Sequence, residues 1–206
     1  MLKQKFKEVE VGGKKYRLTK MDARTGSYIA AKLALLAAPL LKNIKKDEGL
    51  DADGMAALVT GLNRKDFEEI QTLLLKRVQL LREKDGVPLP EPIIMADGSF
   101  VDEELEYSTA AVMNLTVQSV MFNVGDFFRR GRVTETGAIK LDYDPVPYPT
   151  LDAFAYAPVA AGLWRQHEVF DGTYDFDDLL DAHELMAVKA ANAQRAQEAA
   201  ERRSKL

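Results

Sequence analysis

The stretch Asp142-Tyr143-Asp144-Pro145-Val146-Pro147-Tyr148-Pro149 limits the fold more than any other part of the chain, because prolines at alternate positions admit neither helix interior nor central strand. Residues 131–149 hold two glycines and three prolines with no hydrophobic period, which predicts a semi-rigid extended linker. The chain therefore divides into a body over 1–130, a Pro-rich linker over 131–149 and an acidic helical unit over 150–206. With 206 residues there is enough chain for one domain with an appendage.

Val9, Val11, Tyr16 and Leu18 flank Gly12-Gly13, so a two-residue turn pairs Val9 with Tyr16 and puts all four side chains on one face. Asp22 is placed to cap a helix carrying Ile29, Leu33, Leu36, Leu40 and Ile44, which Pro39 should kink or end near Ala38. Asp51 caps a short helix with Met55, Leu58 and Leu62; Asn63 caps another whose stripe runs Phe67, Ile70, Leu74, Val78, Leu81. Asp97-Gly98 predicts a second, small hairpin able to pair with the first.

Asp102 is expected to open the longest helix of the body, over 103–128, with Leu105, Met113, Val117, Val120, Val124 and Phe127 on one side and Met121 and Phe128 widening it. Beyond the linker, Thr150 should cap a helix containing Leu151, Phe154, Leu163 and Trp164 that Pro158 bends or breaks. Asp175 caps the last helix with Asp178 at its third position, and Phe176, Leu179, Leu180, His183 and Met186 give it one packed side. After Val188 only alanines and polar residues precede Leu206, so that tail should fray unless bound. The fold class expected is α+β, mainly α: an N-terminal hairpin and a small second hairpin packed on a helical bundle, followed by a helical C-terminal unit.

Chemistry is hard to find in these residues. His183-Glu184 and His167-Glu168 each lack the second histidine one turn on, with Ala187 and Asp171 in its place. Asp171, Thr173, Asp175 and Asp177 imitate the start of a calcium loop without its turn glycine, since position 176 is Phe, or its closing Glu, since position 182 is Ala. Phosphate-cradling glycine motifs and a nucleophile elbow are missing, and cysteine is absent altogether. The expectation is a protein that is not an enzyme and has no metal or cofactor.

Binding is the better-supported class. Residues 1–20 carry seven Lys or Arg against two Glu, whereas residues 142–181 carry nine Asp or Glu against Arg165 alone. Opposite charge at the two ends favours self-association or two differently charged partners. Phe127-Phe128-Arg129-Arg130-Gly131-Arg132 beside the Lys-rich hairpin resembles a single-strand nucleic-acid surface. Yet the phenylalanines continue the apolar helix face and the pI is about 5.4, so nucleic acid is an unlikely partner. Trp164, Phe170, Tyr174 and Phe176 cluster in the C-terminal unit; Trp164 and Phe176 suit its core, Phe170 and Tyr174 an interface. The longest apolar run, Ile29 to Leu41, is broken by Lys32 and Pro39 and is too short for a bilayer of about 20 residues, and no leader pattern is seen.

Val9-Glu-Val-Gly-Gly-Lys-Lys-Tyr-Arg-Leu18, the Ala- and Leu-rich helix after Asp22, and Phe122-Asn-Val-Gly-Asp-Phe-Phe128 resemble the tail assembly chaperones of tailed bacteriophages. Leu163-Trp164, Gly172-Thr-Tyr-Asp-Phe-Asp-Asp-Leu-Leu-Asp181 and Val188-Lys-Ala-Ala-Asn192 are similar to the C-terminal extension of their long forms. The resemblance implies an assembly factor of the host cytoplasm, absent from the mature virion. Its body would coat the tape measure protein and its extension would recruit the major tail tube protein. It also implies that such long forms often arise by ribosomal frameshifting near the junction. A groove for a long amphipathic helix fits the broad helix face, with Met113, Val117 and Met121 as lining residues. Phe170 and Tyr174 are the candidates for the second partner. A structural component of the tail or baseplate is the alternative, and a nucleic-acid binder the third.

Overall fold

Strands β1 (Phe6–Val11) and β2 (Lys14–Thr19) form the expected hairpin, with Val9 opposite Tyr16 and with Gly12 and Gly13 both at positive φ (58° and 75°). Two consecutive left-handed residues are what a tight turn of the favoured hand requires. The computed structural model describes residues 4–41, 51–84, 87–95, 97–130, 146 and 148–204. Most of the 131–149 linker, and Ile44, therefore lie outside the described residues.

Helix α1 (Ala23–Leu41) begins where Asp22 accepts the Thr25 N–H at 2.9 Å, and it buries Ile29 and Leu33. It continues three residues past Ala38, so Pro39 does not end it where expected. Helices α2 (Ala52–Thr60) and α3 (Arg64–Leu75) carry the predicted caps, Asp51 accepting from Gly54 N–H and Asn63 from Asp66 N–H.

The stripe of α3 does not run on to Leu81. The helix stops at Leu75, and Val78–Lys84 is strand β3, paired antiparallel with β2 through Tyr16–Leu80 and Leu18–Val78. Val78 satisfies either period, but Leu80 is the residue that points inward. Strand β4 (Val87–Pro92) then completes a four-stranded antiparallel sheet in chain order. Its Pro88, Pro90 and Pro92 face Glu83, Leu81 and Gln79, at positions whose N–H would point away from β3. The alternate residues donate, a series continued by the Ile93 N–H on the Val78 carbonyl at 3.4 Å. The turn at Asp97-Gly98 forms, with Ile94 bridging Phe100, but the first hairpin pairs with β3 instead.

Helix α4 (Glu103–Glu106) is a single turn capped by Asp102, and α5 (Thr109–Arg130) starts only after Ser108, so the long helix is shorter than the predicted 103–128 at its N-terminus. Lys14 ties this corner to the hairpin by ion pairs with Asp102 (2.6 Å) and Glu104 (2.7 Å). These partners, Asp102 foremost, raise the Lys14 pKa, and Lys14 in turn lowers that of Asp102.

α5 separates two apolar cores. Leu115, Val112 and Phe122 face the sheet with Tyr16, Leu18, Val78 and Leu80, whereas Val120, Val124 and Phe128 join Ile29, Leu33, Met55, Leu58, Ile70 and Leu74. Asn123 stitches α5 to the chain entering α1, its Oδ1 accepting the Met21 N–H at 2.8 Å and its Nδ2 donating to the Ser119 carbonyl at 3.0 Å.

The C-terminal unit opens with α6 (Ala153–Ala160), capped by Asp152, which accepts from Phe154 and Ala155 N–H, and not by Thr150. Leu151, Leu163 and Trp164 fall outside this helix. Helix α7 (Phe176–Ser204) has the predicted cap in reciprocal form: Asp175 accepts the Asp178 N–H at 3.1 Å while Asp178 accepts the Asp175 N–H at 3.0 Å. It stays helical to Ser204, although from Asn192 onward every residue described is exposed. The fold class is the one expected, mainly helical α+β.

Candidate partner-binding surfaces

The start of α7 lies on the body. Phe176 and Leu179 are buried in the same core as Ile29, Leu33 and Val124. Phe127, Phe154 and Phe176 form a three-ring cluster with centroids 5.9–6.5 Å apart, and Phe128 meets Phe127 edge-on at 5.2 Å. Gly26 makes this approach possible, because a Cβ there would stand 2.5 Å from the Phe176 Cβ and 2.7 Å from its Cγ.

Backbone and charge reinforce the contact. The Ala23 N–H donates to the Tyr174 carbonyl at 3.2 Å, and Asp22 and Asp175 form an antiparallel bridge. Lys5 reaches Asp175 (2.9 Å) and Asp178 (3.4 Å), and Lys20 reaches Asp177 at 2.7 Å. Lys20 also donates to the Phe122 carbonyl and lies over the Phe122 ring. The Lys20–Asp177 pair is the best shielded, with side chains only 10% and 13% exposed. Part of the opposite charge at the two ends of the chain, Lys5 and Lys20 with Asp175, Asp177 and Asp178, is thus joined within one molecule, and the aspartates that imitate a calcium loop serve as caps and counter-ions.

α6 sits beside this contact. Asp152 accepts the Ser27 hydroxyl at 3.0 Å, and His183 of α7 stacks on Phe154 at 4.0 Å while its Nε2–H donates to the Phe154 carbonyl at 2.9 Å. Burial lowers the His183 pKa, outweighing that hydrogen bond.

The candidate residues fall into two groups. Met113, Val117 and Met121 are half-buried along α5 against the α1–α2–α3 core, and the Met113 sulfur lies 4.0 Å from Gln71 Nε2. They are the N-terminal part of one stripe that continues through Val124, Phe127 and Phe128 beneath α7. Phe170 is 50% exposed after a 3-10 turn over Gln166–Val169, whereas Tyr174 is half-buried and stacked on Trp164 at 4.4 Å. Structure brings neither group to the other. Of the nucleic-acid candidates, Phe127 and Phe128 are core residues and Lys5, Lys14 and Lys20 hold carboxylates, which leaves no stacking platform among them.

One surface escaped sequence reasoning. α6 is apolar on all sides; Ala155 and Pro158 face inward, and its outer side forms a groove of about 560 Å³ with Tyr148, Leu151, Tyr156, Val159 and Gln166 in its lining. The signal was present in Ala153-Phe-Ala-Tyr-Ala-Pro-Val-Ala160, eight residues without a charge, since a helix apolar all round needs cover on more than one side. Among the described residues no helix is long and apolar enough to cross a membrane.

Two family models match. One, described as phage tail assembly chaperone protein, TAC, covers residues 12–135. The other, a family of unknown function, covers residues 164–203. No curated protein and no solved structure matches the chain.

Proposed function

This chain belongs to the phage tail assembly chaperone family, and we propose that within tail assembly its body holds the tape measure protein while its C-terminal unit recruits tail tube subunits. The tail assembly role itself comes with the family, as does assembly in the host cytoplasm; the two partners are the further step. The division of labour follows the proposed boundaries 1–130, 131–149 and 150–206, which the two separate family matches support.

The observation that carries this reading is the orientation of the C-terminal unit. Its inner side packs on the body through Phe154 and Phe176, yet its outer side keeps the Tyr148–Leu151–Tyr156–Val159 groove and Phe170 open to a second protein. On the body, Met113, Val117 and Met121 form the adaptable apolar strip suited to a long amphipathic helix. The protein works without catalysis and leaves before the virion is complete.

Co-expression with each partner tests both halves. Tyr156→Asp with Val159→Asp should abolish capture of the tail tube protein and spare tape measure solubility; Val117→Asp with Met121→Asp should do the reverse. Equal loss of both partners in either variant would refute the division. Mass spectrometry of purified virions should find no copy of this chain, and finding one at stoichiometric level would favour a retained tail component.

A further inference from the structure

The start of α7 shows what the body is built to receive. It fills a groove bounded by α1 and the C-terminal half of α5, with Lys5 and Lys20 at the base of the β1–β2 hairpin on its rim, and it does so with a specific set of groups. An aromatic enters the notch at Gly26, Leu179 and Leu180 follow at the next positions of the same helix face, and Asp175, Asp177 and Asp178 meet Lys5 and Lys20. Aromatic and leucines at i, i+3 and i+4 behind an acidic first turn form the pattern of an amphipathic helix laid in a groove. The covered residues of α5, Val124, Phe127 and Phe128, continue the stripe of Met113, Val117 and Met121.

We propose that this groove is a helix-binding site of the body, selective for an amphipathic helix with an acidic N-terminal turn and an aromatic anchor, and that α7 is its intramolecular occupant. A partner helix of that chemistry engages the whole α5 stripe only by displacing α7. The identification of that partner with the tape measure protein rests on the reading given above; the groove and its occupant do not. The lysines at the base of the hairpin supply selectivity, because Lys20 is held in place by the Phe122 carbonyl and ring, where it meets the acidic turn of the helix. The connection over 131–149 is 19 residues of sequence, long enough for α6 and α7 to leave the groove without leaving the molecule.

The test uses the full chain and a labelled synthetic peptide spanning Tyr174 to Lys189. Phe176→Asp with Leu179→Asp evicts α7, and the peptide should then bind at least tenfold more tightly than to the unaltered chain, by fluorescence anisotropy. A peptide with Asp175, Asp177 and Asp178 changed to Asn keeps its caps and loses its charge; it should bind more weakly and with less salt dependence. Hydrogen exchange at Tyr16, Leu18 and Leu80 checks that the sheet survives. Should the double variant unfold, a chain with a protease site inserted at residue 138, cut after folding, asks the same question by exchange of its C-terminal piece for the labelled peptide. Equal peptide affinity for both chains, no binding to an evicted chain with an intact sheet, or no exchange into the cut chain would each overturn the proposal. Tape measure protein is the final probe: peptide binding on eviction without any gain in tape measure affinity keeps the groove and its occupant and refutes the partner.

Discussion

Replacing Gly26 by alanine sets two effects against each other. In a helix interior, Gly→Ala gains about 1 kcal/mol from backbone entropy. Here the new methyl would lie 2.5 Å from Phe176 Cβ, whereas carbon atoms rest at about 3.5–4.0 Å. The colliding atoms are the first two of the phenylalanine side chain, which cannot swing aside, so α7 must move as a body by about 1 Å. Overpacking of this kind costs about 1–3 kcal/mol before the entropy gain is credited. The expected net effect is a loss of about 0–2 kcal/mol, by that difference, where an unobstructed helix would gain. In a Phe176→Gly background the obstacle is gone, and the same Gly26→Ala change should stabilise by about 1 kcal/mol. Urea unfolding followed by Trp164, the only tryptophan, and by far-UV circular dichroism reads all four corners of this cycle. A raised midpoint for the single Gly26→Ala variant, or additive effects across the cycle, would show that Gly26 and Phe176 do not hold the two parts together.

His183 gives a pH dependence of defined sign. Its folded pKa lies below the ordinary 6.5 because burial against Phe154 disfavours the charge, so the unfolded chain takes up a proton first. Stability should therefore be full above about 6.5 and fall as pH drops through that value, with His183→Leu flattening the decline; an unchanged slope in that variant would exclude this histidine as its source. Asn123→Ala leaves the buried Met21 N–H without its acceptor and should cost about 1–3 kcal/mol, read as a Tm lowered by several degrees.

Local chemistry was legible wherever one element decides it. The Gly12-Gly13 hairpin, the caps Asp22, Asp51 and Asn63, and the reciprocal Asp175–Asp178 cap all follow from residues a few positions apart. The third helix was overextended because Leu74, Val78 and Leu81 keep helical spacing, while the alternation of Val78 and Leu80 that wins depends on β2 being there to pair with. Strand β4 was hidden by its own prolines, although Asp85-Gly86 between two apolar stretches is a hairpin signal. The half of the candidate site formed by Met113, Val117 and Met121 could be read as a stripe, but not that the same stripe continues under α7. That fact rests on contacts across the linker, such as Phe127 on Phe176, which no periodicity within one element reveals, and only the opposite charges of the two chain ends gave any hint of them.

The prolines of β4 also govern how copies of this protein can meet. With Pro88, Pro90 and Pro92 turned outward, the far edge of the sheet offers carbonyls but no donors between them, so another strand cannot zip onto it. The opposite edge, β1, keeps the N–H groups of Phe6, Glu8 and Glu10. A sheet sealed on one side is one-ended: strand pairing through β1 closes at two molecules and cannot run on into a fibre. For a tail assembly chaperone, that one-sidedness confines its own edge-to-edge growth to a dimer.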